Sequence, residues 1–128
     1  MSTPPVISVI DDDPSVRAAT TNLLTSCGYS VQTFASAFEF LQSAELHEAS
    51  CVISDIQMPA MSGLDLLRHV RRLGHHMPFI LITAFPDDAV RARAIKAGAI
   101  GFLAKPLVTQ ALIKCVKIAL EGSDGPSG

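Results

Sequence analysis

The stretch VISVIDDDPSVR, residues 6–17, sets a β-branched apolar run directly against three aspartates and a proline. Its first half, residues 6–10, reads as a buried strand. Asp13 before Pro14 reads as the start of a helix: the carboxylate accepts from free amides of the first turn, and proline suits the first helical position. A strand that turns straight into a helix is half of a βα repeat. Asp11 and Asp12 are left over, and carboxylates about 5 Å apart repel by roughly 3 kcal/mol per pair at an effective dielectric near 20. The pair therefore needs a cation.

The alternation continues outward from this stretch. SVQTF (30–34), CVISD (51–55), FILIT (79–83) and IGFL (100–103) predict four more strands. All but SVQTF are largely apolar, as strands buried on both faces should be, and SVQTF with its alternating polar residues is predicted at an edge. Segments of helical period lie between them. Val16, Ala19, Leu23 and Cys27 share one face of the first, which Gly28 stops. A second, weakly patterned helix falls at about 36–45. Leu64, Leu67 and Val70 mark the third, stopped by Gly74; Ala92, Ile95 and Ala99 the fourth, ended by Gly98; and Leu112, Cys115, Val116 and Ala119 an apolar fifth. Five βα repeats predict an α/β fold with a doubly wound parallel five-stranded sheet and helices on both faces.

Composition narrows the function. The 128 residues suit one domain, and charged residues make up only 17% against a usual share of about 25%, which argues for a well-buried core. Net charge is −2 with no basic run, so no nucleic acid is expected as a direct partner. Cys27, Cys51 and Cys115 are odd in number and widely spaced, without a CxxC or a neighbouring histidine at ligand spacing, and are expected to be free buried thiols in a reducing compartment. MSTPP has no leader pattern and no apolar run approaches the roughly 20 residues that cross a bilayer, so a cytoplasmic protein with no membrane partner is expected. EGSDGPSG at the end is linker-like, which divides the chain into a domain at 1–121 and a flexible tail or linker at 122–128.

The layout also says where chemistry can occur. Doubly wound sheets bind ligands beyond the carboxyl ends of their strands, where strand order reverses. Asp11 and Asp12 follow the first strand, Asp55 ends the third, Thr83 ends the fourth and Lys105 lies just past the fifth. Three converging carboxylates suit a hard divalent cation such as Mg²⁺. A cis bond between Lys105 and Pro106 would aim the amine inward. Carboxylates with a metal, a hydroxyl and an ammonium describe a site that accepts a phosphoryl group onto Asp55, with metal and lysine neutralising its oxygens and Thr83 donating a hydrogen bond.

IDDDPSVR, SDIQMPAMSGLDLL, ITA and KAGAIGFLAKP, in that order over about residues 5–121, together resemble the receiver domain of two-component response regulators, the FixJ type in particular. The resemblance implies a flavodoxin-like (βα)5 sheet of order 2-1-3-4-5. It implies that Asp55 takes a phosphoryl group from the phosphohistidine of a sensor histidine kinase. Asp12 would hold Mg²⁺ directly and Asp11 largely through water, with Asp55 and the backbone carbonyl of Gln57 as further ligands, and Lys105 would pair with the phosphoryl group. Thr83 would then move toward the phosphate and Phe102 turn inward behind it, remodelling the face of the fourth helix, fifth strand and fifth helix. That face could also carry a phosphorylation-dependent homodimer. Such a protein is a switch that helps catalyse its own phosphorylation and dephosphorylation, not an enzyme acting on separate substrates. FixJ-type receivers usually precede a DNA-binding output domain, so the chain is read as a single-domain regulator or as a segment ending in a linker.

Several positions depart from the family pattern or stand beside it. Phe102 lacks the hydroxyl that an aromatic switch residue can carry, and Ala84 leaves the site open. Phe85 and Gln57 flank it, and Phe85 is expected to restrict attacking water. Met58, Pro59, Met61 and Gly63 are expected to shape the loop into the third helix, and His47, His69, His75 and His76 to be solvated. A haloacid-dehalogenase-like phosphohydrolase is the runner-up. It would place its later acidic pair after the lysine, whereas Asp87-Asp88 precedes Lys105, and it gives Asp55 nothing to do. A flavin module would need a phosphate-cradling loop where IDDDPSV repels phosphate. The acidic run can be divided by substitution. Asp13→Ala is expected to lower stability by about 1 kcal/mol in urea denaturation and leave phosphorylation nearly intact, whereas Asp12→Ala is expected to abolish Mg²⁺-dependent phosphorylation.

Overall fold

A computed structural model describes residues 4–123. Strands β1 (Val6–Ile10), β2 (Ser30–Phe34), β3 (Cys51–Asp55), β4 (Phe79–Thr83) and β5 (Gly101–Ala104) form one sheet of order β2-β1-β3-β4-β5, every neighbouring pair parallel. This is the predicted fold class and strand order. Four strands begin and end where the sequence places them, and β5 is shifted by one residue. Strand order reverses between β1 and β3, which puts the ligand crevice at the end of those two strands.

Side-chain alternation along the strands builds two cores. Ile7 and Val9 of β1, Cys51 and Ile53 of β3, and Ile80 and Ile82 of β4 face one way and meet Leu24 of α1 (Pro14–Ser26) and Leu112, Val116 and Ala119 of α6 (Thr109–Ser123). Ile10, Val52, Phe79 and Leu81 face the other way. They pack against Ala37 and Phe40 of α2 (Ala37–Leu41), Leu46 of α3 (Glu45–Glu48), Leu66, Leu67 and Val70 of α4 (Gly63–Arg72) and Ala94 of α5 (Asp88–Ala97). Fully burying one such aliphatic side chain contributes roughly 1.5–3 kcal/mol, so these two layers hold the fold. Helix starts follow the polar signals: Asp13 accepts from the N–H of Ser15 at 2.8 Å with Pro14 as first helical residue, and Asp87 accepts from Val90 at 2.9 Å.

The structure departs from the sequence pattern at several elements. The second helix is two short ones, α2 and α3, and Ser43 lies in the break between them: its hydroxyl donates to the carbonyl of Phe40 at 2.8 Å and accepts from the N–H of Glu45 at 3.1 Å, bonds that compete with a continuous helix. The helices counted fourth and fifth from the sequence are therefore α5 and α6. In α1 the buried residues are Thr20 and Leu24. Val16 and Ala19 instead border a shallow apolar cleft of about 490 Å³ against Pro106 and Leu107. In α5 the inward residues are Val90, Ala94 and Ala97, while Ala92 and Ile95 are exposed. Alanine buries little area on any face, so an alanine-rich helix carries no decisive stripe. Strand β5 is a half-buried edge, not a strand covered on both faces.

The thiols also divide. Cys51 is fully buried, Cys115 half-buried, and Cys27 exposed just past the end of α1. Burial, helped by Cys115, pushes the Cys51 thiol up to about 12. Residues 124–128 of the linker-like tail lie outside the described residues, and α6 runs to Ser123. Among the described residues no helix is long and apolar enough to cross a membrane. In native protein at pH 8, iodoacetamide is expected to modify Cys27 within minutes and leave Cys51 intact until denaturant is added, as peptide mass mapping would show.

Candidate functional site

The C-terminal edge of the sheet gathers the predicted residues because each sits at the last position of a strand or just beyond it. Asp11 follows β1 and is 2% exposed, Asp55 ends β3 at 4%, and Thr83 ends β4 fully buried. Asp12 is exposed. The Asp11, Asp12 and Asp55 carboxylates bring one oxygen each within 4.8 Å of one another. Lys105 leaves the edge strand β5 and crosses the end of β4 to reach them. Its Nζ lies 3.1 Å from Asp11 Oδ2 and 3.2 Å from Asp55 Oδ2. The Lys105–Pro106 peptide is cis.

Asp11 is further fixed from its own loop. Its Oδ1 accepts from the N–H of Asp13 at 2.9 Å, and its backbone carbonyl accepts from Arg17 Nη1 at 2.6 Å. This leaves Asp12 to point outward while Asp11 turns in.

Burial and the charge of Asp11 raise the Asp55 carboxyl above its ordinary value, with Lys105 pulling the other way. Burial by itself lowers the Lys105 ammonium, but its bonds to Asp11 and Asp55 win and hold it above the usual lysine value. Among the described residues Lys105 is the one cation within ion-pair distance of these three carboxylates, so the cluster keeps an excess of acidic groups. Asp55 Oδ1 is buried and, among the described residues, has no hydrogen-bond partner. An all-oxygen donor set with an orphaned buried oxygen fits a hard divalent cation, so the residues present fit Mg²⁺.

On the other side of Asp55 the contacts run through Gln57 and Gly63. Gln57 Oε1 accepts from Thr83 Oγ1 at 3.0 Å and from the N–H of Ala84 at 3.3 Å. A Cβ on Gly63 would collide with the backbone carbonyl of Asp55, so α4 can begin against the end of β3 only with glycine there. Phe85 is 70% exposed beside this loop. Phe102 is half-buried against the α4–α5 core, with the Arg91 guanidinium 5.1 Å from its ring centroid. The histidines lie away from the site, and His47 and His75 are not simply solvated, since their rings meet edge to face at 4.9 Å.

The sequence did not disclose the Arg17 contact, the use of the Gln57 side chain, or the steric need at Gly63. All three join residues across loops, where no periodic pattern operates. Gly63 was legible only as a turn residue.

The fold and this edge define a receiver-type α/β domain. A sequence model described as response regulator receiver domain matches residues 7–117, and the chain belongs to that family. It is 42% identical over 120 residues to Nodulation protein W of Bradyrhizobium diazoefficiens, covering 94% of this chain and 53% of that protein. It is 40% identical over 116 residues to response regulator protein TodT of Pseudomonas putida, covering 91% and 51%. Among solved structures, FixJ-N is similar at a TM-score of 0.83 and 32% identity, over 94% of this chain and 96% of that one. The chain spans about half the length of the curated relatives it matches. It is thus a receiver domain of two-component signalling, a switch fold whose family implies phosphorylation on aspartate. Gly63→Ala is expected to lower stability by about 1–3 kcal/mol in urea denaturation, because two backbone segments must part to admit the methyl group.

Proposed function

We propose that Asp55 is the phosphoacceptor of a cytoplasmic response regulator and that its donor is the phosphohistidine of a sensor histidine kinase. A carboxylate oxygen of Asp55 forms a bond to phosphorus while the P–N bond of phosphohistidine breaks. The electron pair stays on the imidazole nitrogen, which takes up a proton. The observation that carries this reading is the setting of Asp55: one oxygen is held by Lys105 at 3.2 Å, and the other is buried at the edge of an acidic cluster with no hydrogen-bond partner among the described residues.

Asp11, Asp12, Asp55 and the backbone carbonyl of Gln57 would hold Mg²⁺, which when bound supplies charge neutralisation for the phosphoryl oxygens. Lys105 already stands at the acceptor and transfers its contact from the carboxylate to the phosphoryl group. It thereby stabilises charge without having to travel. Thr83, at the end of the neighbouring strand, donates its hydroxyl to the product. Phe85 covers the approach of water from the loop side, and Asp13 serves the helix start and takes no part in the chemistry.

Output follows from Thr83 and Phe102. Movement of the β4–α5 loop frees space behind it, and Phe102 turns inward from under Arg91. The face of α5, β5 and α6 then changes shape. Ile95 on α5 is 58% exposed, which suits that face to a phosphorylation-dependent homodimer or to an output domain. The net charge of −2 and the lack of a basic run assign any DNA contact to another domain. On this reading the chain is a switch that helps catalyse transfer of the phosphoryl group onto itself and its later hydrolysis, and does not act on a separate substrate.

Incubation with Mg²⁺ and a small acyl-phosphate donor, followed by intact-mass spectrometry, tests this. The parent protein is expected to gain one phosphoryl group and Asp55→Asn none. Equal labelling of both would remove Asp55 from the role.

A further inference from the structure

Thr83 is fully buried, and its hydroxyl is already committed. It donates to Gln57 Oε1 at 3.0 Å and accepts from the N–H of Phe85 at 3.0 Å. The same Gln57 oxygen accepts from the N–H of Ala84 at 3.3 Å. These bonds tie the loop between β3 and α4, which carries Gln57, to the loop between β4 and α5. Strand alternation explains the choice of partner. Thr83 has the parity of Phe79 and Leu81, which face α4 and α5, whereas Asp55 has the parity of Cys51 and Ile53, which face α1 and α6.

A hydroxyl has a single proton to give. While Gln57 holds it, a phosphoryl group on Asp55 cannot. We propose that the Gln57 side chain is a positioning residue that latches Thr83 in the unphosphorylated arrangement and competes with the Asp55 phosphoryl group for that proton. The proposal rests on the reading of Asp55 as the acceptor and adds what sets the threshold of the switch.

The exchange runs from a neutral amide oxygen to a charged phosphoryl oxygen, which is the stronger acceptor, so phosphorylation opens the latch. The Ala84 N–H shares the same Gln57 oxygen, so displacement of the Gln57 amide as the latch opens also frees that N–H and couples the proton exchange to the β4–α5 loop. The strength of the latch subtracts from the apparent affinity of the site for its phosphoryl group. The backbone carbonyl of Gln57, named above as a metal ligand, is untouched by changes to the side chain. Threshold and metal binding can therefore be varied separately.

Gln57→Met keeps the length of the side chain and removes the acceptor, and Gln57→Ala removes both. Each is read in the whole chain with beryllium fluoride and Mg²⁺ as a non-covalent phosphoryl mimic, its apparent affinity followed through backbone amide NMR signals. Before any ligand is added, the Ala84 and Phe85 amide signals are expected to shift in both variants. Beryllium fluoride is expected to bind both about fivefold more tightly than it binds the parent, equivalent to about 1 kcal/mol. In a Thr83→Val background the same substitutions are expected to have no effect on affinity, since the proton in dispute is gone. Unchanged affinity, or an equal gain in the Thr83→Val background, would overturn the latch, because Gln57 would then act by crowding or through the metal. If the parent binds no better than Asp55→Asn, the acceptor reading itself falls and takes the latch with it. Binding that depends on Asp55 but shows no coupling between Gln57 and Thr83 removes the latch alone.

Discussion

The Lys105 ammonium, set between Asp11 and Asp55, is the constraint around which the site is arranged. It starts from an edge strand and must pass the end of β4 to reach carboxylates on β1 and β3. Only a long, flexible cation can make that crossing. At an effective dielectric near 20, a charge pair about 4 Å apart is worth roughly 4 kcal/mol, comparable to the repulsion between two of these buried acids. Lys105 therefore makes the cluster tolerable but not neutral. The remaining negative charge, together with Asp55 Oδ1, which has no hydrogen-bond partner among the described residues, is what the proposed dication and phosphoryl sites rest on.

The scaffold below the site is rigid on one side and softer on the other. Strands β1, β3 and β4 are covered on both faces by aliphatic side chains, so the ends that carry Asp11, Asp55 and Thr83 have little freedom. Strand β5 is a half-buried edge, and α5 buries only Ala94 fully. Regions with fewer buried contacts open at lower free energy than the core. The charge event proposed at Asp55 thus lies on the rigid side, and the proposed response lies on the side with fewer buried contacts. Thr83 stands at the boundary, tied by Gln57 in this structure.

Much of this was legible from residues alone, for identifiable reasons. The runs VISVI, CVISD and FILIT announced central strands because both faces of a parallel strand must be apolar. Asp13-Pro14 announced a helix start because the geometry of a first turn is local. Strand-end polar residues pointed to one edge of the sheet as soon as the alternation was accepted. The helix faces were less legible. Ala92 and Ile95 looked inward by spacing but face outward, because α5 is seated by its contact with α4 and not by its own weak stripe. Ser43 lies in the break of the second helix with two hydrogen bonds that no periodicity reports.

By itself, then, the sequence determined the α/β alternation, the boundaries of four of the five strands and the family, since these rest on periodicity and on local signals. It also determined which chemical groups would meet, because the end of a strand is a position in the chain as well as in space. The tertiary structure decided their pairings: Lys105 with both Asp11 and Asp55, Thr83 with Gln57, Gly63 against the Asp55 carbonyl, and Cys27 left in solvent. These are contacts between loops and between elements distant in sequence. Their geometry depends on how strands and helices seat against one another to within about an ångström, and no residue pattern encodes that distance.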